Sequence, residues 1–240
     1  MSAQPSDTNR QIVVNDLVKK YHARSVLNHL FITMDKGALC ILVGDNGVGK
    51  TTLLRILAGL VRPDSGEIAI GNSSSSREPQ HRRMIGYLGH HSMLYQDLNA
   101  IENLTHYARL YQLTQAEKIV SESIQSVDLK NSQYQMVRTY SRGMQQRLSV
   151  ARSLLHDPEV LLLDEPYTGL DKQGAQFLDM RLQSLHRQGK TIFLAAHRPH
   201  RLLSFASHVA WLKDGAIAEY SPVQDIPGHP DLAAYLQESA

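Results

Sequence analysis

Residues 38–51 read Ala38-Leu-Cys-Ile-Leu-Val-Gly-Asp-Asn-Gly-Val-Gly-Lys-Thr51. The apolar run Ala38–Val43 reads as a buried strand ending at a glycine. Lys50–Leu60 then carries helical spacing, with Leu53, Leu54 and Leu57 on one face and Gly59 and Pro63 as stop signals. Between them, Gly44–Thr51 matches G-x-x-x-x-G-K-[ST] in the strand–loop–helix setting that a phosphate loop requires. Gly44, Gly47 and Gly49 let backbone N–H groups close around phosphate oxygens at the positive end of the helix. Asp45, Asn46 and Val48 complete the loop. Lys50 supplies a point charge for the β- and γ-phosphates, and the Thr51 hydroxyl is placed for Mg²⁺. Gly49 and Thr52 add donors.

Outward from this loop the chain alternates. Ile12–Leu17 and Val26–Met34 are strand-like and precede it; Glu67–Ile70 and Met84–Leu88 follow, separated by the polar connection Asn72–Pro79. From Ala100 to Leu155 the period is helical. Ile101, Leu104, Ala108 and Tyr111 share one face, and Ala116, Val120, Ile124 and Val127 another. Strands Glu159–Leu163, Thr191–Ala195 and Val209–Leu212 then alternate with helices Lys172–Arg187 and Arg198–Ala206. Such alternation implies βαβ units and a mostly parallel sheet. A helical insert between Met93 and His156 therefore interrupts an α/β core. No internal repeat is present.

Composition narrows the function. The 240 residues are 42% hydrophobic and 20% charged, enough for a full core. With 25 Lys+Arg against 23 Asp+Glu, the net charge of +2 argues against a nucleic-acid binder. The single cysteine, Cys40, forbids an internal disulfide, suits a reducing compartment, and reads as a core residue. The longest apolar runs are strand-sized, and the polar first ten residues do not read as a signal peptide. The chain is expected on the cytoplasmic side.

Two further segments carry chemistry. Val160–Glu165 is an apolar strand ending in two acids. Beside the phosphate loop, Asp164 reaches Mg²⁺ directly or through water, and Glu165 is placed to polarise an attacking water. Without that loop, a solvated acidic turn would explain them equally well. Tyr140–Leu148 opens an amphipathic helix with Leu148, Ala151 and Leu155 inward. Ser141 is a good N-cap, and Gly143 lets the backbone approach an anion, making a second anion site.

In their order, these segments resemble the nucleotide-binding subunits of ATP-binding cassette (ABC) transporters over about residues 11–220. Thr168-Gly-Leu-Asp171 resembles the family's D-loop and His197 its switch histidine. Tyr21 lies where the family stacks an aromatic ring on adenine, although simple packing also explains a lone tyrosine. The resemblance implies an α/β fold: a P-loop NTPase with an ABC-type ATPase core, N-terminal antiparallel strands and a helical subdomain near 93–156. It implies one domain over 11–221 and a tail over 222–240; within the tail, Asp231–Gln237 reads as a short helix. Two copies are expected to sandwich two ATP molecules with Mg²⁺. Ser141 and Gly143 then face the other copy's nucleotide, Asp171 crosses the interface, and His197 contacts the γ-phosphate. Hydrolysis drives a transmembrane permease subunit, which holds this chain peripherally on the cytoplasmic face of the cell membrane.

The sequence also departs from the family. The signature reads Tyr-Ser-Arg-Gly-Met, where Leu-Ser-Gly-Gly-Gln is commoner, and Arg142 reads most simply as a solvated first-turn side chain. His90 stands where a glutamine ligates Mg²⁺ and links to the permease. Imidazole is a poor ligand for hard Mg²⁺, so hydrogen bonds or bound water are the alternative for His90. Gly89-His90, Asp97–Leu104 and Ser141–Arg147 resemble the haem exporter branch of cytochrome c maturation, with a general drug, lipid or polysaccharide exporter as the alternative. The 12 histidines give no haem reading of their own: apart from His90-His91 they are scattered, without a Cys-x-x-Cys-His pattern.

Overall fold

The computed structural model describes residues 9–22, 24–71, 73, 79–90, 92–197 and 199–238. Most of the Asn72–Pro79 connection, His91 and the first residue of the expected Arg198–Ala206 helix lie outside them. Two sheets form the core. The first is antiparallel, with β1 (Arg10–Tyr21) between β2 (Arg24–Asp35) and β4 (Ser65–Ile70). The second contains β3 (Leu39–Val43), β5 (Ile85–Leu88), β6 (Val160–Asp164), β7 (Thr191–Ala195), β8 (His208–Lys213) and β9 (Ala216–Pro222). Its order is β5-β6-β7-β3-β8-β9, parallel except for β9. Strands β3, β6 and β7 are buried along their whole length, as unbroken apolar runs in a two-sided sheet should be.

Helix α1 (Lys50–Leu57) is shorter than its apolar spacing suggests. Gly59 takes a left-handed φ of 68°, its N–H donates to Ile56 O, and the Leu60 N–H donates to Arg55 O. This crossed pair of bonds closes the helix end before Leu60 is reached. The short α2 (Pro79–Arg83), unread in the sequence, is pinned by buried His81, whose Nε2 lies 2.7 Å from Leu57 O. Three helices make the insert: α3 (Ala100–Leu110), α4 (Ala116–Ser126) and α5 (Arg142–Leu154). Leu104, Ala108, Val120, Ile124, Val127, Leu148, Ala151 and Leu155 meet in a core of their own.

Buried Asn103 ties the chain leading into α3. Its Nδ2 donates to the carbonyls of Tyr95, Leu98 and Asn99, while its Oδ1 accepts from the Tyr95 N–H. Helix α6 (Lys172–Arg187) has the expected bounds. Helix α7 spans only His200–Leu203, between the caps Pro199 and Ser204. Beyond residue 221, α8 (Pro230–Glu238) buries Leu232 and Leu236 in the layer that α6 covers. Among the described residues, no helix is long and apolar enough to cross a membrane.

Candidate nucleotide site

The parallel strands β3, β6 and β7 end side by side, with Leu42 opposite Ala195 and Asp164 opposite Ala195. Ligands of open α/β sheets bind at such carboxyl ends. Here the loop after β3 turns into α1. Gly44 has φ 151° and Gly49 has φ 121°. A methyl on Gly44 would run into the Leu212 carbonyl, and one on Gly49 would lie 2.9 Å from Leu27 Cδ2. Both positions therefore need glycine for space and for conformation. Asp45, Asn46 and Gly47 are exposed, while Gly49 and Lys50 are buried and Val48 is half-buried.

Lys50 Nζ donates to Gly44 O at 2.6 Å and Asp45 O at 3.0 Å, so its ammonium is held inside the loop. Burial pulls its pKa below the ordinary value, opposed by Glu165, Asp45 and Asp164. Thr51 Oγ1 donates to Asp164 Oδ1 at 2.9 Å. Burial pushes the Asp164 carboxyl above its usual range, with Glu165 adding to the rise and Thr51, Arg55 and His90 opposing it. Asp164 Oδ2 is buried without a hydrogen-bond partner. An orphaned buried carboxylate oxygen next to a hydroxyl is a hard-oxygen donor set, which fits Mg²⁺.

Glu165 follows at φ 49°, a left-handed conformation costing a non-glycine residue about 1–2 kcal/mol. Its N–H donates to Ala195 O at 3.0 Å, and its Oε2 accepts from Thr168 Oγ1 at 3.4 Å. The carboxylate is thereby turned out of the strand toward two cavities. One, of about 220 Å³, is lined by Tyr21, Arg24, Asn46, Lys50, Thr51, Thr52 and Glu165. The Tyr21 ring is 44% exposed there, with Lys19 Nζ 5.2 Å from its centroid, so it is not a packed core residue. The other, of about 290 Å³, is lined by Gly89, His90, Arg142, Gln146, Glu165 and Gly169 among others.

The remaining expected residues line neither cavity. His197 is exposed on the loop after β7, which removes the core-histidine reading. Ser141 caps α5 by accepting from the Met144 N–H at 3.3 Å, with Gly143 half-buried beside it. Asp171 caps α6 by accepting from the Gly174 N–H at 2.7 Å. Ser141 and Asp171 are exposed helix-start residues. Arg142 is exposed in the first turn of α5, as the sequence suggests, and its guanidinium also lies across Gly169. Sequence reasoning also missed Arg24 and Arg55. Arg24 sits in a strand with no motif of its own. Arg55 could have been found as the one charge besides Lys50 in the helix after the loop.

A groove of about 640 Å³ runs between the β5 side of the core and the helical insert. Arg82, Arg83 and Arg152 line it with no carboxylate among its described lining residues, and Leu60, Met93 and Leu110 are exposed at it.

Comparisons with known proteins give a consistent answer. The ABC transporter family profile matches residues 27–168. The cytochrome c biogenesis ATP-binding export protein CcmA of Xylella fastidiosa is 38% identical over 193 residues, covering 80% of this chain and 89% of that protein. The Nod factor export ATP-binding protein I of Cupriavidus pinatubonensis is 37% identical over 208 residues, covering 85% of this chain and 64% of that protein. A solved ATP-binding subunit of an ABC transporter superposes with a TM-score of 0.85 at 26% identity, covering 95% of this chain and 99% of that one.

Proposed function

The chain belongs to the ABC transporter family, and from that premise we propose that it hydrolyses ATP as a paired subunit powering a membrane permease. The observation that carries this reading is the convergence of Lys50, Thr51, Asp164 and Glu165 at the ends of β3 and β6. Tyr21 takes the adenine face. The phosphate loop takes the phosphates, whose oxygens replace the Gly44 and Asp45 carbonyls as partners of the Lys50 ammonium. Thr51 and Asp164 hold Mg²⁺, which supplies charge neutralisation for the phosphates. Glu165 polarises the attacking water, and His197 and His90 act at the γ-phosphate end.

Ser141, Gly143 and Asp171 serve the nucleotide held by the second copy, which accounts for their place outside both cavities of a single chain. One ATP-binding domain spans 11–221, with its helical subdomain over 93–156. The arginine-lined groove is the seat for an acidic segment of the permease, which keeps the chain peripheral on the cytoplasmic face of the cell membrane. The haem-linked role in cytochrome c biogenesis is favoured by the CcmA relative, and general export by the Nod factor relative. The permease that copurifies separates these two.

Glu165→Gln is expected to elute as a dimer with Mg-ATP and as a monomer without it, with turnover almost lost. Lys50→Ala is expected to lose at least about a hundredfold in turnover. Normal turnover in Glu165→Gln removes Glu165 as the base.

A further inference from the structure

Arg142 is the position where this chain departs from the commoner signature, and its side chain does something specific. A methyl placed on Gly169 would lie 2.8 Å from Arg142 Nη1, 3.1 Å from Cζ and 3.4 Å from Nε. The guanidinium therefore lies over the Cα face of Gly169, which has φ 77° and no side chain to keep it off. One turn further along α5, Gln146 Nε2 donates to Pro166 O at 2.8 Å. The first turns of α5 thus grip the segment 165–171 at two points.

That segment is a compact unit. The Thr168 N–H donates to Glu165 O and the Leu170 N–H to Tyr167 O, both at 3.1 Å. Thr168 Oγ1 reaches the Glu165 carboxylate. The contacts of α5 with Gly169 and Pro166 are thus joined to that carboxylate through the turn's own hydrogen bonds.

We propose that Arg142 and Gln146 form a latch by which the start of α5 positions Glu165 of the same chain. Ser141 begins that helix, so its engagement with the other copy's nucleotide sets the carboxylate acting on this chain's own ATP. Arg142 is a positioning residue, not a catalytic one. A planar guanidinium can lie flat on a glycine, whereas a lysine ammonium cannot. The inference rests on the reading of the chain as an ATPase that works in pairs.

The test is a double-mutant cycle in the full chain, with kcat and KM for ATP measured separately. Arg142→Ala, Arg142→Lys and Gly169→Ala are each expected to lower kcat about tenfold with KM within about twofold, as small misplacements of a reacting group do. Combining Arg142→Ala with Gly169→Ala is expected to cost no more than Gly169→Ala alone, because that change already removes the contact besides straining the turn at its φ of 77°. Losses that multiply to about a hundredfold, or full activity in Arg142→Lys, overturn the latch. Hydrogen exchange of the 167–171 amides without nucleotide gives a second arm. It is expected to speed up in Arg142→Lys, and unchanged exchange overturns the latch whatever the turnover. Absence of ATPase activity in the unmodified chain overturns the functional reading instead, and the exchange arm still decides the latch.

Discussion

His156 is half-buried beside β5. Its ring stacks on Tyr111 at 3.8 Å, and its Nε2 lies 3.0 Å from Ile85 O. Burial pushes its pKa down to about 4. Since the unfolded chain binds this proton near pH 6.5, stability is full above that value and falls as the pH drops from 6.5 toward 4. The loss is on the order of 2–3 kcal/mol from this group alone. His156→Phe keeps the ring stack and removes the proton. Urea midpoints at pH 5 and pH 7 are therefore expected to lie closer together in that variant than in the unmodified chain. At this scale the sequence is legible where a motif fixes the neighbours, as at Lys50 and Thr51. It is illegible where a side chain meets a distant backbone, as Arg142 meets Gly169, because the 26 intervening residues must fold first.

Elements were read best where apolar period and end signals agree. Helix α6 spans Lys172–Arg187 between the caps Asp171 and Gln188, with a regular apolar face, and its bounds matched. The hairpin β8–β9 was missed although Asp214-Gly215 is a two-residue turn signal, with both residues at positive φ. Its second strand is only half-buried and lacks clean alternation, so period alone could not reveal it. Helix α3 begins with a reciprocal cap. The Glu102 N–H donates to Asn99 Oδ1 at 2.9 Å, and the Asn99 N–H donates to Glu102 Oε2 at 2.8 Å. Asn99→Ala is expected to cost about 1 kcal/mol, read as a lower urea midpoint with an unchanged slope.

For the molecule as a whole, the separation of Ser141 and Asp171 from the phosphate loop becomes a matter of stoichiometry. Lys50→Ala spoils the loop of its own chain, and Ser141→Arg spoils the helix start offered to the other. Each variant alone is expected to be inactive. In a mixed pair, one site keeps an intact loop from one chain and an intact Ser141 from the other. Mixing the two is therefore expected to restore turnover that neither shows, and continued inactivity counts against shared sites. The α/β core and the helical insert were legible because each is a run of periodic segments. The antiparallel sheet on β1 was legible only through family resemblance, since its pairing joins residues as far apart as Ile12 and Ile70.

Cys40 sits at the middle of this construction, fully buried in β3 between β7 and β8. Burial raises its thiol pKa far above the ordinary range. A thiol-directed reagent meets no reactive sulfur until the central strands part. The pace at which the chain takes up such a reagent is then a clock for the rarest opening of the core, ticking at the frequency of global unfolding. ATP bound at the loop that β3 leads into slows that clock in proportion to how tightly it is held.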